Sequence, residues 1–411
     1  MDVGIKAISA ALPSYFLPKN EFCKGRKTNE GKLSHLMIEG FAVPKKEEKV
    51  EDLMQKAVKE IFLKYNFKPK NVGYLLVATE SIQSKGDNLA LRLIGLLQKK
   101  EKINLCHVQS VTLMSACASS LSAIETALSL AKQSNKDVLV VAGDISKYGK
   151  DKGEETQGGG AVAILIGKKP KVAKKIFAPG GFSCFFPDWA QPFYKKPYFH
   201  PTLTWLGYIL GTSFSQLNFK KENSFKKRLF NFIDRFCYHR PYGSIVKDAF
   251  AFLFAIEKRK KDFEKYLLKL FQKIEKIFYG KKTPIVDYLK YNLTFFEKLK
   301  KTLKEKLKKI KEKKEFLEIF EKKVFPSLKY ANFVGNAYTA SLILCFLSLL
   351  KEENLFSKKV LLVSYGSGLN SSSLCFEILK DYQKFSPDIE KEIKKMKKIT
   401  FEKYLELRKN Y

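Results

Sequence analysis

Short apolar segments that alternate with amphipathic helical segments restrict the fold of this chain more than any other feature. The apolar segments lack the polar alternation of a half-buried strand, which is typical of strands covered on both faces. Residues 52–65 and 118–131 carry apolar side chains at the 3-4 spacing of a helix with one buried face. Alternating strands and helices predict an α/β fold. The predicted strands are residues 3–8, 72–78, 138–142, 161–166 and 360–363.

The two halves of the chain echo each other. The segments 137–142 and 359–363 are each followed by a polar turn, which is Gly143-Asp144 in the first half and residues 365–368 (YGSG) in the second. This echo indicates an internal duplication.

Residues 257–323 differ in composition from the rest. They contain 23 Lys and Arg against 11 Asp and Glu, with apolar residues at helical spacing and a break at residues 280–284. The pattern predicts a basic helical hairpin inserted into the second half. Two interpretations stay open: a solvated pair of helices that packs one apolar stripe on the body, or a docking surface for an acidic partner. The predicted stripe is Phe263, Leu267, Leu270, Ile274 and Ile277.

The whole chain is basic, with a net charge of +34 over 411 residues. Lys is spread along the chain without a nucleic-acid-binding module, so the charge fits a compositional bias at least as well as a binding surface. The longest apolar stretch, residues 340–350, is far shorter than the roughly 18 residues of a membrane span, and Asp2 interrupts any basic start of a signal peptide. Seven cysteines without a CxxC pair indicate free thiols and no metal site. We expect a soluble, cytoplasmic protein.

Three residues are candidates for chemistry. Cys117 directly precedes the predicted helix from residue 118, where the helix dipole and free N–H groups stabilise a thiolate and can bind an oxyanion. Glu80 follows an apolar strand, at the carboxyl-terminal edge of a sheet where ligands bind, and partial burial there would raise its pKa for acid/base work. His239 is one of only four histidines. The alternatives are a buried structural role for Cys117, a helix-capping or surface position for Glu80, and a structural role for His239.

Two glycine-rich turns allow a ligand to approach the backbone closely. They are residues 158–160 (GGG), before a predicted strand, and 364–368 (SYGSG), after another. Neither matches a phosphate-binding loop.

The order of seven motifs carries a resemblance. They are 78–81 (ATES), 116–118 (ACA), 144–149 (DISKYG), 155–163 (ETQGGGAVA), 238–241 (YHRP), 334–339 (VGNAYT) and 364–368 (SYGSG). In this order the chain resembles the 3-hydroxy-3-methylglutaryl-CoA synthase family of the thiolase superfamily. The resemblance extends from residues 3–8 (VGIKAI) and 41–44 (FAVP) over almost the whole chain, and it is lost only across the basic insertion.

The resemblance implies a fold and a set of roles. The fold is a pair of duplicated βαβαβαββ halves in a five-layered αβαβα arrangement, here residues 1–168 and 169–411 with the insertion at about 257–323, usually in a homodimer. Cys117 is implied as the acetylated nucleophile, Glu80 as the general acid/base, and His239 as the residue that positions the second acyl substrate. The implied substrate-binding residues are Asn336, Ser367, Asp144, Asp188 and Lys247.

Within these roles, the backbone N–H groups of Ser367 and Cys117 would bind thioester oxygens. Asp144 and Asp188 would support acetyl transfer and condensation. The implied reaction condenses acetyl-CoA with acetoacetyl-CoA and needs no metal or organic cofactor.

Several positions depart from the family pattern. Ala118 follows the nucleophile where an aromatic residue is common, and Ser115 stands where a Glu is common. Ser244 stands where bacterial members of the mevalonate pathway often carry a Lys. The absence of this Lys resembles the branch that acts on carrier-protein substrates in polyketide β-branching. Residues 334–339, in contrast, resemble the mevalonate branch.

Three functions therefore stay open. The first is supply of 3-hydroxy-3-methylglutaryl-CoA for isoprenoid synthesis. The second is β-branching on an acyl chain held by an acidic carrier protein. The third is an inactive relative that serves as a basic binding protein, against which the intact Cys117, Glu80 and His239 count. Because all matched catalytic positions lie outside the insertion, the sequence predicts that the chemistry does not need it.

Overall fold

The computed structural model describes residues 2–81, 88–149, 153–186, 188–190, 198–258 and 294–408. The strands are β1 (Val3–Ala11), β2 (Tyr15–Pro18), β3 (Gly40–Val43), β4 (Val72–Ala78), β5 (Gln109–Leu113), β6 (Asp137–Ile145), β7 (Gly159–Lys168), β8 (Ala173–Phe186), β9 (Trp189–Ala190), β10 (Tyr198–Phe199), β11 (Arg235–Tyr238), β12 (Lys359–Val363), β13 (Gly368–Ile378) and β14 (Lys397–Lys398).

The α-helices are α1 (Lys19–Arg26), α2 (Glu30–His35), α3 (Val50–Leu63), α4 (Leu89–Glu101), α5 (Ser119–Gln133), α6 (Pro201–Glu222), α7 (Leu229–Phe232), α8 (Gly243–Lys258), α9 (Thr294–Lys311), α10 (Lys314–Lys323), α11 (Phe325–Leu328), α12 (Ser341–Leu349), α13 (Ile389–Lys395) and α14 (Phe401–Arg408). Every predicted strand and both predicted helices are present, within a few residues of the expected ends. Within the described residues, no helix is long and apolar enough to cross a membrane.

Nine strands form one continuous sheet whose order shows the duplication. The order is β5-β4-β6-β7-β1 in the first half, followed by β8-β13-β12-β11 in the second. The pairs β4–β6 and β11–β12 are parallel, whereas β6–β7, β7–β1, β12–β13 and β13–β8 are antiparallel. The two halves therefore repeat one strand pattern. Between α8 and α12 the described residues contain helices and no counterpart of β5.

The two halves meet where β1 passes β8. Gly4 and Ile5 pair with Lys174 and Ala173. A Cβ on Gly4 would lie 2.1 Å from the carbonyl oxygen of Ala173, so only glycine allows this approach.

Helices form three layers around the two parts of the sheet. One apolar cluster joins α3 and α4 to the outer face of the first half. The helices α5 and α12 lie in the middle and contact strands of both halves, while α6 and α8 cover the far face of the second half. This is the predicted five-layered αβαβα arrangement of a thiolase-like fold.

The described part of the insertion packs on the second half. The helices α9 and α10 bury an apolar stripe against α6 and α8, as the amphipathic pattern predicts. Its members are Phe296, Leu299, Leu303, Leu307, Phe316 and Phe320. Glu257, where the sequence placed the start of the insertion, is instead a buried residue of α8 that accepts hydrogen bonds from the Lys220 ammonium and the Leu229 N–H. The predicted break at 280–284 and the predicted stripe from Phe263 to Ile277 lie outside the described residues.

Candidate functional site

The strand pairing brings the first-half candidates to one edge of the sheet. Because β4 is parallel to both β5 and β6, the carboxyl ends of these strands lie side by side, with Ala78 opposite Leu113 and Ala142. Glu80 and Cys117 follow the ends of β4 and β5, and Asp144 is the second-to-last residue of β6. The sheet edge therefore collects the three residues.

Cys117 lies in a tight turn between β5 and α5. Ala116 adopts a left-handed conformation with φ of +46°, which a non-glycine residue rarely adopts. The Ser119 hydroxyl holds this turn, since it accepts from the Ser115 N–H (2.5 Å) and donates to the Ala116 carbonyl (2.7 Å). The strained turn presents Cys117 just before the first residue of α5, as predicted.

The Cys117 thiol contacts the Glu80 carboxylate, with Sγ 2.8 Å from Oε1. Both residues remain partly accessible. Burial raises the pKa of Glu80 to about 8, with the charge of Asp144 adding to the shift and the hydrogen bond from Cys117 opposing it. Burial, reinforced by the negative charge of Glu80, also raises the pKa of Cys117 well above its usual value. These effects favour the thiol form of Cys117 in the resting state and oppose the stabilisation of a thiolate that the helix terminus would provide.

Asp144 fixes the end of β4 rather than contacting the thiol. Its Oδ1 accepts hydrogen bonds from the Thr79 hydroxyl (2.8 Å), the Glu80 N–H (2.8 Å) and the Ser81 hydroxyl (2.7 Å). Its Oδ2 accepts from the N–H (3.1 Å) and hydroxyl (2.6 Å) of Thr339. Burial raises the pKa of Asp144, while these donors favour the ionised form. Asp144 thus positions the Glu80 backbone and ties it to the second half.

Asp188 and the turn after β12 approach the nucleophile from the second half. Asp188 is buried and accepts from the Tyr365 hydroxyl (2.9 Å) and the Gly368 N–H (2.7 Å). A Cβ on Gly366 would lie 2.7 Å from the Ser115 carbonyl oxygen and 3.0 Å from the Ala118 nitrogen. The turn at residues 365–368, which includes the partly exposed Ser367, therefore packs on the loop of Cys117.

His239 follows β11 at the corresponding edge of the second half. Its N–H donates to the Val363 carbonyl (2.8 Å), its carbonyl accepts from the Tyr208 hydroxyl (2.5 Å), and its ring nitrogen Nδ1 has no partner among the described residues. Burial, reinforced by the neighbouring positive charge of Arg240, lowers the pKa of His239 to about 3. The ring is therefore neutral at physiological pH.

Asn336 connects the halves. Its N–H donates to the Thr156 carbonyl (2.8 Å), and its Oδ1 accepts from the Tyr338 N–H (3.1 Å) and the Ser341 hydroxyl (3.1 Å). Its side-chain nitrogen donates to the Tyr148 hydroxyl at 3.3 Å. These bonds fix the amide.

Two tyrosines beside the site were missed in the sequence. Tyr148 and Tyr338 pack edge to face with ring centroids 6.0 Å apart. Burial raises the pKa of both hydroxyls, and the charges of Cys117 and Glu80 contribute, which places the rings near that pair. Tyr148 lies in the motif 144–149 and Tyr338 in the motif 334–339, so both motifs contain the signal for these residues.

Lys247 is not brought to the Cys117–Glu80 pair by any contact among the described residues. Its ammonium lies 5.2 Å from the centroid of the Phe320 ring, on the inserted helix α10. Its role in substrate binding stays a prediction. Within the described part of the chain, no three His, Cys, Asp or Glu side chains are placed to hold a metal ion.

Two family models match the chain. One is described as hydroxymethylglutaryl-coenzyme A synthase N terminal and matches residues 1–171, and the other as the C-terminal part of the same enzyme, matching residues 208–411. Hydroxymethylglutaryl-CoA synthase B of Dictyostelium discoideum is 28% identical over 391 residues, which cover 92% of this chain and 78% of that protein. Hydroxymethylglutaryl-CoA synthase 2 of Blattella germanica is 28% identical over 403 residues, covering 92% and 82%.

Solved structures share the fold at lower identity. MvaS in complex with 3-hydroxy-3-methylglutaryl coenzyme A superposes with a TM-score of 0.82 at 21% identity, covering 99% of this chain and 92% of that one. The HMG synthase of the curacin biosynthetic pathway superposes with a TM-score of 0.79 at 19% identity, covering 99% and 88%.

Proposed function

Because the chain belongs to the hydroxymethylglutaryl-CoA synthase family, we propose that it condenses acetyl-CoA with acetoacetyl-CoA through an acetyl-Cys117 intermediate. The observation that carries the proposal is the 2.8 Å contact between the Cys117 thiol and the Glu80 carboxylate. The contact supports the proposal because covalent acyl transfer needs a nucleophile and a base within hydrogen-bond reach of each other. The reaction uses CoA thioesters as substrates and needs no cofactor.

Acetyl transfer begins from the thiol. As Sγ of Cys117 attacks the thioester carbon of acetyl-CoA, the thiol proton leaves along the contact with Glu80. The carbon–sulfur bond to CoA then breaks, and CoA leaves as a thiol with the proton that Glu80 took from Cys117, which leaves Glu80 ionised. The products are acetyl-Cys117 and free CoA.

Condensation needs Glu80 as a base. Ionised Glu80 removes a proton from the methyl group of acetyl-Cys117, and a carboxylate with a pKa near 8 is a stronger base than an exposed one. The resulting enolate oxygen would be stabilised by the N–H groups of Cys117 and Ser367, because the turn of Ser367 packs on the Cys117 loop. The enolate carbon then attacks the 3-carbonyl of acetoacetyl-CoA.

His239 and Asn336 are proposed to hold the acceptor. A neutral imidazole can donate one hydrogen bond and accept another, which suits a neutral carbonyl that becomes an alkoxide and then a hydroxyl. After the alkoxide takes up the proton that Glu80 removed from the methyl group, water hydrolyses the thioester to Cys117. This step frees the thiol and releases 3-hydroxy-3-methylglutaryl-CoA.

The proposal also covers the pathway, the compartment and the oligomeric state. We place the product in mevalonate and isoprenoid synthesis in the cytoplasm, and we propose a homodimer. Support for the dimer comes from β5, the outermost strand of the first half, where Val111 and the adjacent Met114 are exposed apolar residues next to the nucleophile loop. Sedimentation of the purified protein tests this part.

A carrier-bound acceptor is the second candidate. The net charge of +34 favours encounter with an acidic carrier protein, and a structural neighbour, the curacin pathway HMG synthase, has been solved in complex with donor-ACP. The test supplies acetyl-CoA with acetoacetyl-CoA or with an acetoacetyl carrier protein and identifies products by mass spectrometry. Our proposal predicts faster product formation from the CoA acceptor at 0.15 M salt. A strong preference for the carrier would favour the β-branching role.

A further inference from the structure

The inserted helix α9 reaches the elements that support Asp188. The ring of Phe296 on α9 lies 6.3 Å, centroid to centroid and edge to face, from the ring of Phe186, two residues before Asp188. The ammonium of Lys300, one turn further along α9, donates to the Pro201 carbonyl (3.2 Å) and approaches the Thr202 hydroxyl (3.5 Å). Both acceptors belong to the first turn of α6.

Polar contacts fix α9 in this position. The ammonium groups of Lys300 and Lys304 lie 6.0 and 5.7 Å from the ring centroid of Trp205 on α6. The Trp205 indole donates to Asp248 of α8 (2.9 Å), and Asp248 also accepts from Lys311 near the end of α9 (2.5 Å). The helix is therefore held along its length, so Lys300 has a defined place.

The first turn of α6 holds the main chain of Asp188. The His200 N–H donates to the Asp188 carbonyl (3.1 Å), and the Thr204 hydroxyl donates to the same oxygen (3.3 Å). The Asp188 carboxylate in turn binds the Tyr365 hydroxyl and the Gly368 N–H. A continuous set of contacts thus runs from Lys300 through the start of α6 and Asp188 to the turn beside Cys117.

We propose that Lys300 of the insertion is a positioning residue, which sets the place of the 365–368 turn against the nucleophile loop through the first turn of α6 and Asp188. This inference rests on the proposed function, since it assigns that turn to the thioester oxygens. It revises the sequence-based expectation that the chemistry does not need the insertion. Burial, with Lys304 nearby, lowers the pKa of Lys300 to about 8, which still leaves the ammonium mostly charged at pH 7 for both contacts.

The test compares Lys300→Met, which keeps the length of the side chain but has no donor, with Lys300→Arg and with Lys301→Met. Lys301 is the exposed neighbour on the same helix and serves as the matched control. Losing hydrogen bonds from a charged donor predicts that Lys300→Met lowers the rate constant of Cys117 acetylation and of condensation about tenfold. The amount of acetyl label per protein should stay that of the wild type. Lys300→Arg should recover most of the rate, and Lys301→Met should match the wild type.

Hydrogen exchange gives a second readout that does not depend on activity. In Lys300→Met, peptides covering residues 198–206 and 364–370 should exchange faster than in the wild type and in Lys301→Met. Wild-type rates and wild-type exchange in Lys300→Met would overturn the inference. So would reduced label stoichiometry at an unchanged rate constant, which indicates only a smaller folded fraction. If the wild-type protein itself fails to take acetyl from acetyl-CoA, the proposed function fails, and hydrogen exchange alone decides the positioning role.

Discussion

The side-chain amide of Asn370 donates a 2.7 Å hydrogen bond to the hydroxyl of Ser115, two residues before the nucleophile. Asn370 also exchanges backbone hydrogen bonds with Gly366 (2.7 and 3.0 Å), so it closes the turn that packs on the Cys117 loop. Ser115 is one of the departures from the family pattern. The hydrogen bond with Asn370 gives Ser115 a partner from the second half of the chain.

Replacing Asn370 with Ala should slow acetylation of Cys117 about fivefold, because one hydrogen bond that joins the nucleophile loop to the turn is worth about 1 kcal/mol. Rapid-quench measurement with labelled acetyl-CoA gives the rate. Ser183→Ala is the matched control, since Ser183 is exposed and bonds the other side of the Asn370 amide (3.1 Å). Equal rates for Asn370→Ala and the wild type would show that the pair does not position the loop.

Glu80→Gln should lower condensation by roughly 10²–10⁴-fold, because general acid/base groups contribute that much. Acetylation should fall less, since the thiol proton has other routes to solvent through the partly accessible site. Both half-reactions can be followed separately, by label on the protein and by formation of product from isolated acetyl-enzyme. Normal condensation by the acetylated variant would mean that another base acts.

The pH dependence of condensation should follow Glu80. Its ionised form is the active base and its pKa is about 8, so the single-turnover rate from acetyl-enzyme should rise with pH and level off above that value. His239 is already neutral across this range and adds no further step. In Glu80→Gln the residual rate should lose this rise. A wild-type rate that is flat between pH 6 and 9 would contradict the assignment.

The free energy of unfolding should also depend on the protonation of Glu80. It should fall with rising pH, whereas the condensation rate rises. The folded state raises the pKa of Glu80 above the 4.5 of an unperturbed glutamate, so the folded protein holds this proton more tightly than the unfolded chain. The free energy of unfolding therefore falls as pH rises from about 4.5 to about 8. Glu80→Gln should be more stable than the wild type at pH 8 and lose this advantage near pH 5. Denaturant titrations at the two pH values measure the difference.

The strands around the site could be predicted from the sequence where other elements cover both of their faces, because such strands are continuously apolar. The central residues of β4, β6, β7 and β12 are apolar, so their pattern needed no knowledge of the fold. The strand β13 was missed because Ser371, Ser372 and Ser373 interrupt its pattern. Two of them are buried and satisfied by Ser215 of α6, each at 3.0 Å between hydroxyl oxygens. Such a partner lies more than 150 residues away, beyond local periodicity.

The candidate site was also predictable only where it depends on local sequence pattern. Glu80 follows a predicted strand and Cys117 precedes a predicted helix, so both positions could be read from the local pattern. The strand β5, which brings Cys117 to the same sheet edge as Glu80, was not predicted. The raised pKa of the Cys117 thiol did not follow, because it depends on burial of the thiol and on carboxylates from three separate segments. The contact of Lys300 with α6 did not follow either, since the spacing of a basic helix shows which face is apolar but not what that face covers.

His239→Ala should weaken the binding of the acceptor, acetoacetyl-CoA, far more than the reaction with the donor, acetyl-CoA. The neutral imidazole is proposed to bind acetoacetyl-CoA, so KM for that substrate should rise while the acetylation rate stays within about twofold of the wild type, as for a residue outside the first half-reaction. Steady-state kinetics with each substrate varied in turn measures the split. Equal loss of both half-reactions would instead make His239 a support for the nucleophile.

The central claim is that Cys117 carries the acetyl group, and the most direct measurement is covalent labelling. Wild-type protein and Cys117→Ala are each incubated with radiolabelled acetyl-CoA, precipitated and treated with hydroxylamine. The account predicts close to one hydroxylamine-labile acetyl group per wild-type chain, located by mass spectrometry on the peptide that contains Cys117, and none on the variant. Stoichiometric labile label on Cys117→Ala would contradict it.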